Sequence, residues 1–226
     1  MNVLRSLCSL ALLLWPLTTP ASEFFTGLFP EAAVTKRLEN GRQLTFKVEH
    51  QHITYNEADE DQGLQFTRYR TDLMAFYGWK LNAANSLALG VFHRVQDRSN
   101  ANRLIQQFAT VQRLRNLSLG HRFRTDQTFT DGEDTEFRFR YRLAAQIPLS
   151  GSKLEPHENY LMLSNEPIFS YQSGDFEIEN RFVIGIGRLL SPDEKLELSI
   201  DYRTDKYIQS GFRHRLWLKV GYFASF

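Results

Sequence analysis

Apolar and polar residues alternate along the last stretch of the chain, residues 212–226. The apolar phase contains Leu216, Leu218, Val220, Tyr222, Ala224 and Phe226. The other phase includes Arg213, Arg215, Lys219, Gly221 and Ser225. Soluble strands average about 5–6 residues, and membrane-spanning strands need about 9–11. The length of this alternation favours a transmembrane strand, and the last strand of a soluble sandwich is the alternative.

The same period-two alternation recurs along the chain. Ten strand windows follow Arg42, among them residues 67–81, whose apolar face begins at Tyr69, and residues 136–149. Residues 102–115 are apolar enough for a strand but keep no single phase, so their facing stays open. Residues 23–40 alternate weakly and could add one or two strands, although Pro30 argues against a central strand there. Membrane barrels have even strand counts, which favours ten or twelve.

Long strands, export and an aromatic C-terminus together favour a membrane barrel over a lipocalin-like soluble barrel. A soluble barrel also alternates, but its apolar face points inward and its strands tend to be shorter. In lipid every backbone amide must be paired, so an all-strand protein has to close on itself. The sequence therefore predicts an all-β, antiparallel up-and-down transmembrane β-barrel of about 10–12 strands.

The N-terminus has the features of a secretory signal peptide. Arg5 supplies a positive charge, residues 7–17 form an apolar run of about 11 residues, and small residues lead to a cleavage site near residues 21 and 22. The apolar run is too short for a membrane-spanning helix. We expect a cleaved signal peptide of residues 1–22 and one barrel domain of residues 23–226. The only cysteine, Cys8, leaves with the signal peptide, which excludes disulfides and cysteine-based metal sites in the mature chain.

Composition excludes one class of function and leaves the barrel possible. The 27 basic and 26 acidic residues give a net charge of +1, so the chain lacks the excess of positive charge that is typical of nucleic-acid-binding proteins. A mean hydropathy of −0.39 is compatible with a barrel, because only every second side chain of a transmembrane strand contacts lipid.

Several short motifs in the second half of the chain resemble a proteobacterial family called domain of unknown function 2490. They are HRFRTDQTF at 121–129, FRFRYRL at 137–143, YLMLSNEPIF at 160–169, the Asn180-Arg181 pair and LELSIDYR at 196–203. The resemblance implies an outer-membrane β-barrel and implies no activity. Members of the family tend to show a clearer first strand than residues 24–38. Phe226 also resembles the terminal aromatic residue that the barrel-assembly machinery recognises in outer-membrane barrels.

If the apolar faces contact lipid, many arginines face the lumen. The candidate anion contacts are Arg122, Arg124, Arg138, Arg140, Arg142, Arg181, Arg203, Arg213 and Arg215. The candidate carboxylate partners are Asp126, Glu166, Glu179 and Asp201. One hypothesis is a small porin-like channel for anionic solutes, because charged rings select ions by sign and guanidinium groups bind carboxylate and phosphate bidentately. The alternative is a non-conducting structural or interaction barrel whose lumen is filled by ion pairs between these residues.

The sequence offers little support for an enzyme, a metal site or a cofactor. A nucleophilic serine needs a histidine beside it, and no histidine is placed by sequence near Ser164. His50 and His52 alternate along one strand, but two ligands without carboxylates are weak evidence for a metal. We therefore expect no catalytic residue, no metal and no cofactor.

The predicted location is the outer membrane of a Gram-negative bacterium. The expected partners are outer-membrane lipid, the barrel-assembly machinery and anionic small solutes, and nucleic acid is not among them. With the C-terminus on the periplasmic side, the turn at Asn40 and Gly41 is periplasmic and the acidic loop 57–63 is extracellular. In the interaction-barrel hypothesis, loops 57–63 and 204–211 contact the partner.

Overall fold

The described part of the chain consists almost entirely of β-strands. The computed structural model describes residues 21–57, 64–97, 99–208 and 211–226, with side chains from residue 23 onward. The predicted signal peptide, residues 1–22, thus lies almost wholly outside the described residues. One short 3₁₀ turn, Glu39–Gly41, follows the first strand. The strands are β1 Ala21–Arg37, β2 Arg42–Asn56, β3 Thr67–Lys80, β4 Asn85–Val95, β5 Ala101–Leu114, β6 Leu117–Thr130, β7 Glu136–Pro148, β8 Asn159–Gln172, β9 Asp175–Ser191, β10 Glu194–Asp205 and β11 Phe212–Ser225.

The strands of the described residues form one closed barrel. Each strand pairs antiparallel with the next along the chain, and β1 closes the barrel by pairing parallel with β11. In the closing register Leu28 lies opposite Leu218 and Val34 lies opposite Ala224. The prediction of an all-β barrel of 10–12 strands is confirmed. The preference for an even count was wrong, since the described strands number eleven. An odd number of strands can close a barrel only if one neighbouring pair is parallel, and here that pair is β1 and β11.

The two ends of the barrel differ in the connections that they carry. The C-terminal rim, as we name it, holds Phe226 and the turns that follow β1, β3, β5, β7 and β9. At this rim the Arg37 N–H donates to the Phe226 carbonyl at 2.7 Å, and the Phe226 N–H donates to the Thr35 carbonyl at 3.0 Å. The far rim holds the connections after β2, β4, β6, β8 and β10. The turn at Asn40 therefore lies at the C-terminal rim, whereas Glu57, the last described residue before residues 58–63, lies at the far rim.

Exposure alternates along the strands in the sense opposite to that of a soluble protein. On β10 the apolar Ile200 is 47% exposed, whereas the adjacent Asp201 is 2% exposed. Midway along the strands the outer surface is formed mainly by apolar side chains, and many charged side chains are buried inside the barrel. A lipid-facing barrel has this arrangement. No helix among the described residues has the length and apolar character needed to cross a membrane.

The first strand corrects the prediction drawn from Pro30. β1 is a full strand between β2 and β11, and Pro30 lies within it. Proline has no N–H to donate to a ladder. The pairing of β1 with β2 is interrupted at this point, between the Leu28–His52 pair and the Glu31–Glu49 pair. The gap covers residues 29 and 30, and the pairing resumes in the same register at Glu31, so the strand continues past the proline.

A register shift near the far rim places the aromatic ring of Tyr69 inside the barrel. The pairing of β2 with β3 shifts between Gln51 and His52. Tyr69, which the alternation placed on the lipid face, instead packs its ring 5.9 Å from that of Trp217. Trp217 is 0% exposed. The internal aromatic cluster, as we name it, consists of Phe25, Phe29, Tyr69 and Trp217.

The structure also defines the facing of β5, which the sequence left open. Arg103 and Ile105 are buried inside the barrel, whereas Leu104 is exposed on the outer surface. An apolar residue on the inner face explains why the sequence shows no single phase. The inward direction of Arg103 adds a guanidinium group to the lumen.

Candidate functional site

The barrel interior contains a charged cavity of about 290 Å³. Side chains from β2 to β11 contribute to its wall, and among the described residues cations outnumber carboxylates there. The cations are Lys47, Arg70, Arg94, Arg103, Arg122, Arg124, Arg138, Arg140, Arg142, Arg181, Arg203, Arg215 and Lys219. The carboxylates are Glu49, Asp72, Glu166, Glu179 and Asp201.

All but one of the predicted lumen arginines line this cavity. The exception is Arg213, at the far rim, where its Nη2 lies 2.8 Å from Asp205 and its Nη1 lies 3.9 Å from Glu23. Arg213 is the first inward arginine of β11, so it marks the mouth of the barrel. The residues that the structure brings together are Arg122, Arg124, Arg138, Arg140, Arg142, Arg181, Arg203 and Arg215.

Two of the predicted carboxylate partners lie beside β6 and β7. Asp126 is fully buried, with Arg138 at 3.5 Å and Arg140 at 3.4 Å. Glu166, on β8, accepts from Arg122 at 2.7 Å and from Arg140 at 3.1 Å. Arg140 thus bridges the two carboxylates and ties β6, β7 and β8 together.

The other two predicted carboxylates serve the opposite wall. Glu179 accepts from Arg181 at 2.7 Å and from Arg215 at 3.1 Å. Asp201 forms a two-point contact with Arg203 at 2.9 and 2.7 Å. Bidentate arginine–carboxylate contacts fix side-chain orientation as well as contributing energy. The β9–β11 wall is therefore held by nearly balanced ion pairs.

Sequence reasoning missed several charged residues of the lumen. Asp72 accepts from Arg94 through both carboxylate oxygens, at 2.7 and 2.8 Å. Glu31 of the undecided first strand lies 2.6 Å from Lys47 and 2.9 Å from Lys219. The alternation already placed most of these residues opposite the apolar face, and only Glu31 and Arg103 lacked a clear phase. The cavity cations that the sequence analysis did not name as lumen residues are Lys47, Arg70, Arg94 and Arg103.

Positive charge is concentrated on one wall of the lumen, formed by β5, β6 and β7. Six arginines of this wall line the cavity, and three carboxylates lie within ion-pair distance of them among the described residues: Asp126, Glu136 and Glu166. The wall can therefore attract anions more strongly than the balanced wall opposite. Its arginines are Arg103, Arg122, Arg124, Arg138, Arg140 and Arg142.

Comparison with known proteins identifies the family. A family model described as "Protein of unknown function (DUF2490)" matches residues 26–211. The chain belongs to the DUF2490 family. This confirms the resemblance inferred from the sequence motifs. No curated protein matches the chain significantly.

Among solved structures, one described as "NanC porin structure in rhombohedral crystal form" is similar to this DUF2490 chain. Its sequence is 11% identical, the match covers 78% of this chain and 85% of that one, and the TM-score is 0.47.

The histidines of this DUF2490 protein lie away from the charged cavity. His50 and His52 share a contact of 2.7 Å between their Nε2 atoms, and His50 Nδ1 lies 2.6 Å from the Thr71 hydroxyl. Ser164 lines the cavity, which contains no histidine among its described lining residues. Within the described ranges, no group of three or more His, Cys, Asp or Glu side chains is arranged to hold a metal ion.

The remaining predicted features lie at the ends of the DUF2490 barrel. Phe226 is exposed at the C-terminal rim, and its recognition by the assembly machinery stays a prediction. Loop 57–63 lies, apart from Glu57, outside the described residues, as do residues 209 and 210 of the loop 204–211. A contact between these loops and a partner also stays a prediction.

Proposed function

We propose that this protein is a Gram-negative outer-membrane β-barrel whose arginine-rich lumen admits small anionic solutes. The signal peptide of residues 1–22 would export the chain, and the assembly machinery would insert it with Phe226 as its signal. The observation that carries the proposal is the excess of cations in a cavity enclosed by a barrel with an apolar exterior.

The outer surface supports a membrane location. Exposed apolar side chains occur on every strand, for example Phe46 on β2, Leu89 on β4 and Ile186 on β9. Soluble monomers rarely expose contiguous apolar patches above a few hundred Å². In a bilayer the same surface contacts lipid and needs no other cover.

The lumen supports a preference for anions. Arg124 and Arg142 have no carboxylate within ion-pair distance among the described residues, so their positive charge is available to a solute. Charged side chains around a pore favour ions of the opposite sign, and the low dielectric of the barrel wall strengthens the effect.

A second candidate, a non-conducting structural barrel, is favoured by a separate set of contacts. The internal aromatic cluster fills space on the β1–β11 side, and each predicted carboxylate partner contacts an arginine. A barrel of about eight strands is just filled by its side chains. Eleven strands leave more room, but the aromatic cluster and the ion pairs occupy part of it.

Planar-bilayer recording of the refolded mature chain distinguishes the two candidates. We expect an ion current whose reversal potential in a salt gradient shows anion preference. Arg124→Ser and Arg142→Ser should reduce that preference without breaking a carboxylate pair, whereas Arg113→Ser at the C-terminal rim should leave it unchanged. A protein that inserts without passing current would favour the structural barrel.

Cell fractionation tests the location independently of conduction. The protein should remain with the detergent-insoluble outer membrane after lysis. Recovery in the soluble periplasm would contradict the membrane location for either candidate. We assign no catalytic residue, cofactor or metal to the protein.

A further inference from the structure

Four arginines of β6 and β7 face one another in two neighbouring cross-strand pairs. Arg122 is directly opposite Arg142, and Arg124 is directly opposite Arg140. Residues at directly opposite positions have Cβ atoms about 4.5–5.5 Å apart, and like charges there repel each other. We name these four residues the arginine square. It lies midway along the strands, on the inner face of the barrel.

One carboxylate neutralises part of the arginine square. Glu166 reaches it from β8, and one of its oxygens accepts from both Arg122 and Arg140. Asp126 lies one pair further toward the far rim and contacts Arg140 from outside the square. Glu166 alone would leave an excess of three positive charges on the square. Asp126 contacts both Arg138 and Arg140, so it offsets only part of this excess positive charge.

Buried N–H groups of the square have no hydrogen-bond partner. The Nε atoms of Arg122 and Arg124 are enclosed and unpartnered among the described residues. Arg124 is nine-tenths buried, and its Nη2 donates to the neutral Gln107 side chain at 2.7 Å. Buried donors in proteins are nearly always paired with protein, water or a bound ion. The square therefore has both the charge and the donors for an anion.

We propose that the arginine square binds a divalent tetrahedral oxyanion, namely phosphate, sulfate or the phosphoryl group of a small solute. A dianion offers oxygen acceptors in several directions, which suits four guanidinium groups arranged on two strands. Chloride offers one charge and no fixed acceptor geometry. The inference rests on the proposed function, because the solute must enter the lumen, and it narrows the class of anion.

The remaining lumen arginines lack this arrangement. On the opposite wall Arg181, Arg203 and Arg215 each contact a carboxylate of their own or a neighbouring strand. An oxyanion there would have to displace Glu179 or Asp201. The balanced wall therefore gives no comparable site.

Isothermal titration of the refolded mature barrel in detergent micelles tests the proposal. At about pH 8 inorganic phosphate is mainly the dianion, and phosphate and sulfate should bind saturably where chloride and acetate at matched ionic strength do not. Glycerol phosphate compared with glycerol shows whether a phosphoryl group on a small solute is accepted. Saturable binding of none of the dianions would overturn the proposal.

Three variants separate the arginine square from general electrostatics. Arg142→Gln removes a guanidinium that has no ion pair among the described residues, and it should weaken phosphate binding at least about tenfold. The matched control, Arg113→Gln, removes an exposed arginine whose Nη1 donates to the Ala83 carbonyl, and binding should be unchanged. Equal phosphate affinity in Arg142→Gln and wild type would contradict the site.

The third variant, Glu166→Gln, should change the phosphate affinity in the opposite direction to Arg142→Gln. Removing the carboxylate raises the charge of the square by one, so phosphate should bind more tightly even though two ion pairs are lost. A merely structural role for Glu166 would weaken binding or leave it unchanged. Folding of each variant is checked by the difference in gel mobility between heated and unheated samples. If Arg142→Gln fails to fold, Glu166→Gln still tests the proposal.

Binding and conduction can fail separately. Phosphate binding without ion current would contradict the channel function and leave the oxyanion site intact. Anion current without saturable phosphate binding would support the channel and overturn the arginine square as a specific site.

Discussion

The indole of Trp217 on β11 lies against the backbone of Gly27 on β1, at the parallel seam that closes the barrel. A Cβ added at Gly27 would come within 2.8 Å of the Trp217 ring atom Cζ3 and would collide with the His52 carbonyl. Gly27 pairs directly with Trp217 in the β1–β11 register. The absence of a side chain at residue 27 is what admits the fully buried indole beside β2.

Replacing Gly27 should therefore destabilise the closing seam. Gly27→Val forces the Trp217 ring and the β2 backbone apart, and overpacking of this kind costs about 1–3 kcal/mol or more. The free energy of unfolding in urea, measured on the barrel refolded into lipid vesicles, should fall by at least that amount. Gly120→Ala is the control, because the atom nearest to its added Cβ is 4.0 Å away. Equal losses in both variants would contradict a specific role for the Gly27 contact.

A second prediction concerns Tyr160, which is buried in the barrel near the C-terminal rim. Its hydroxyl donates to Glu197 at 2.6 Å, and Lys195 contacts the same carboxylate oxygen at 2.6 Å. Tyr160→Phe removes a hydrogen bond to a charged acceptor, which is worth about 1.5–3 kcal/mol. Urea unfolding should show a loss of that size. Tyr171→Phe, on the exposed outer surface, should change the unfolding free energy little.

The most strongly destabilising single charge removal should be at Asp126. The carboxylate is fully buried between Arg138 and Arg140. Asp126→Asn leaves two enclosed guanidinium groups with less compensation, and breaking a buried pair costs about 3–5 kcal/mol. Asp193→Asn removes an exposed partner of Arg37 at the C-terminal rim and should cost less than about 1 kcal/mol. A similar unfolding free energy for the two variants would show that Asp126 is well solvated.

The existence and facing of most strands could be predicted from the sequence because these strands repeat one simple pattern, an apolar outer face and a polar inner face. On β7 the alternation of Phe139 with Arg138 and Arg140 is sufficient to place the arginines inside. An apolar outer face requires this pattern on most of the strands, so local sequence carries the information. The same logic identified the carboxylates Glu166 and Asp201 as lumen residues.

The parts that the sequence did not predict depend on contacts between distant strands. Pro30 lies at a gap in the β1–β2 pairing, and the strand resumes in the same register after it. Tyr69 turns inward because it is the residue left unpaired where the β2–β3 register shifts. Trp217 lies in the polar phase of β11, and its burial requires Gly27 on a strand 190 positions earlier in the chain. Neither the interruption nor the shift leaves a local periodic signal. Which arginine contacts which carboxylate could not be predicted either, because it depends on how the strands are arranged in the closed barrel. The contact between Arg122 on β6 and Glu166 on β8 is an example.

The orientation of the barrel in the membrane is open to a direct chemical test. The sole cysteine, Cys8, lies in the predicted signal peptide, so a single introduced cysteine gives the mature chain one reactive thiol. Asp131 is exposed in the turn after β6 at the far rim, and Ser152 is exposed in the connection after β7 at the C-terminal rim. With the C-terminal rim facing the periplasm, a membrane-impermeant maleimide should label Asp131→Cys on intact cells. Ser152→Cys should react only after the outer membrane is permeabilised, and labelling in the reverse order would place Phe226 on the cell surface.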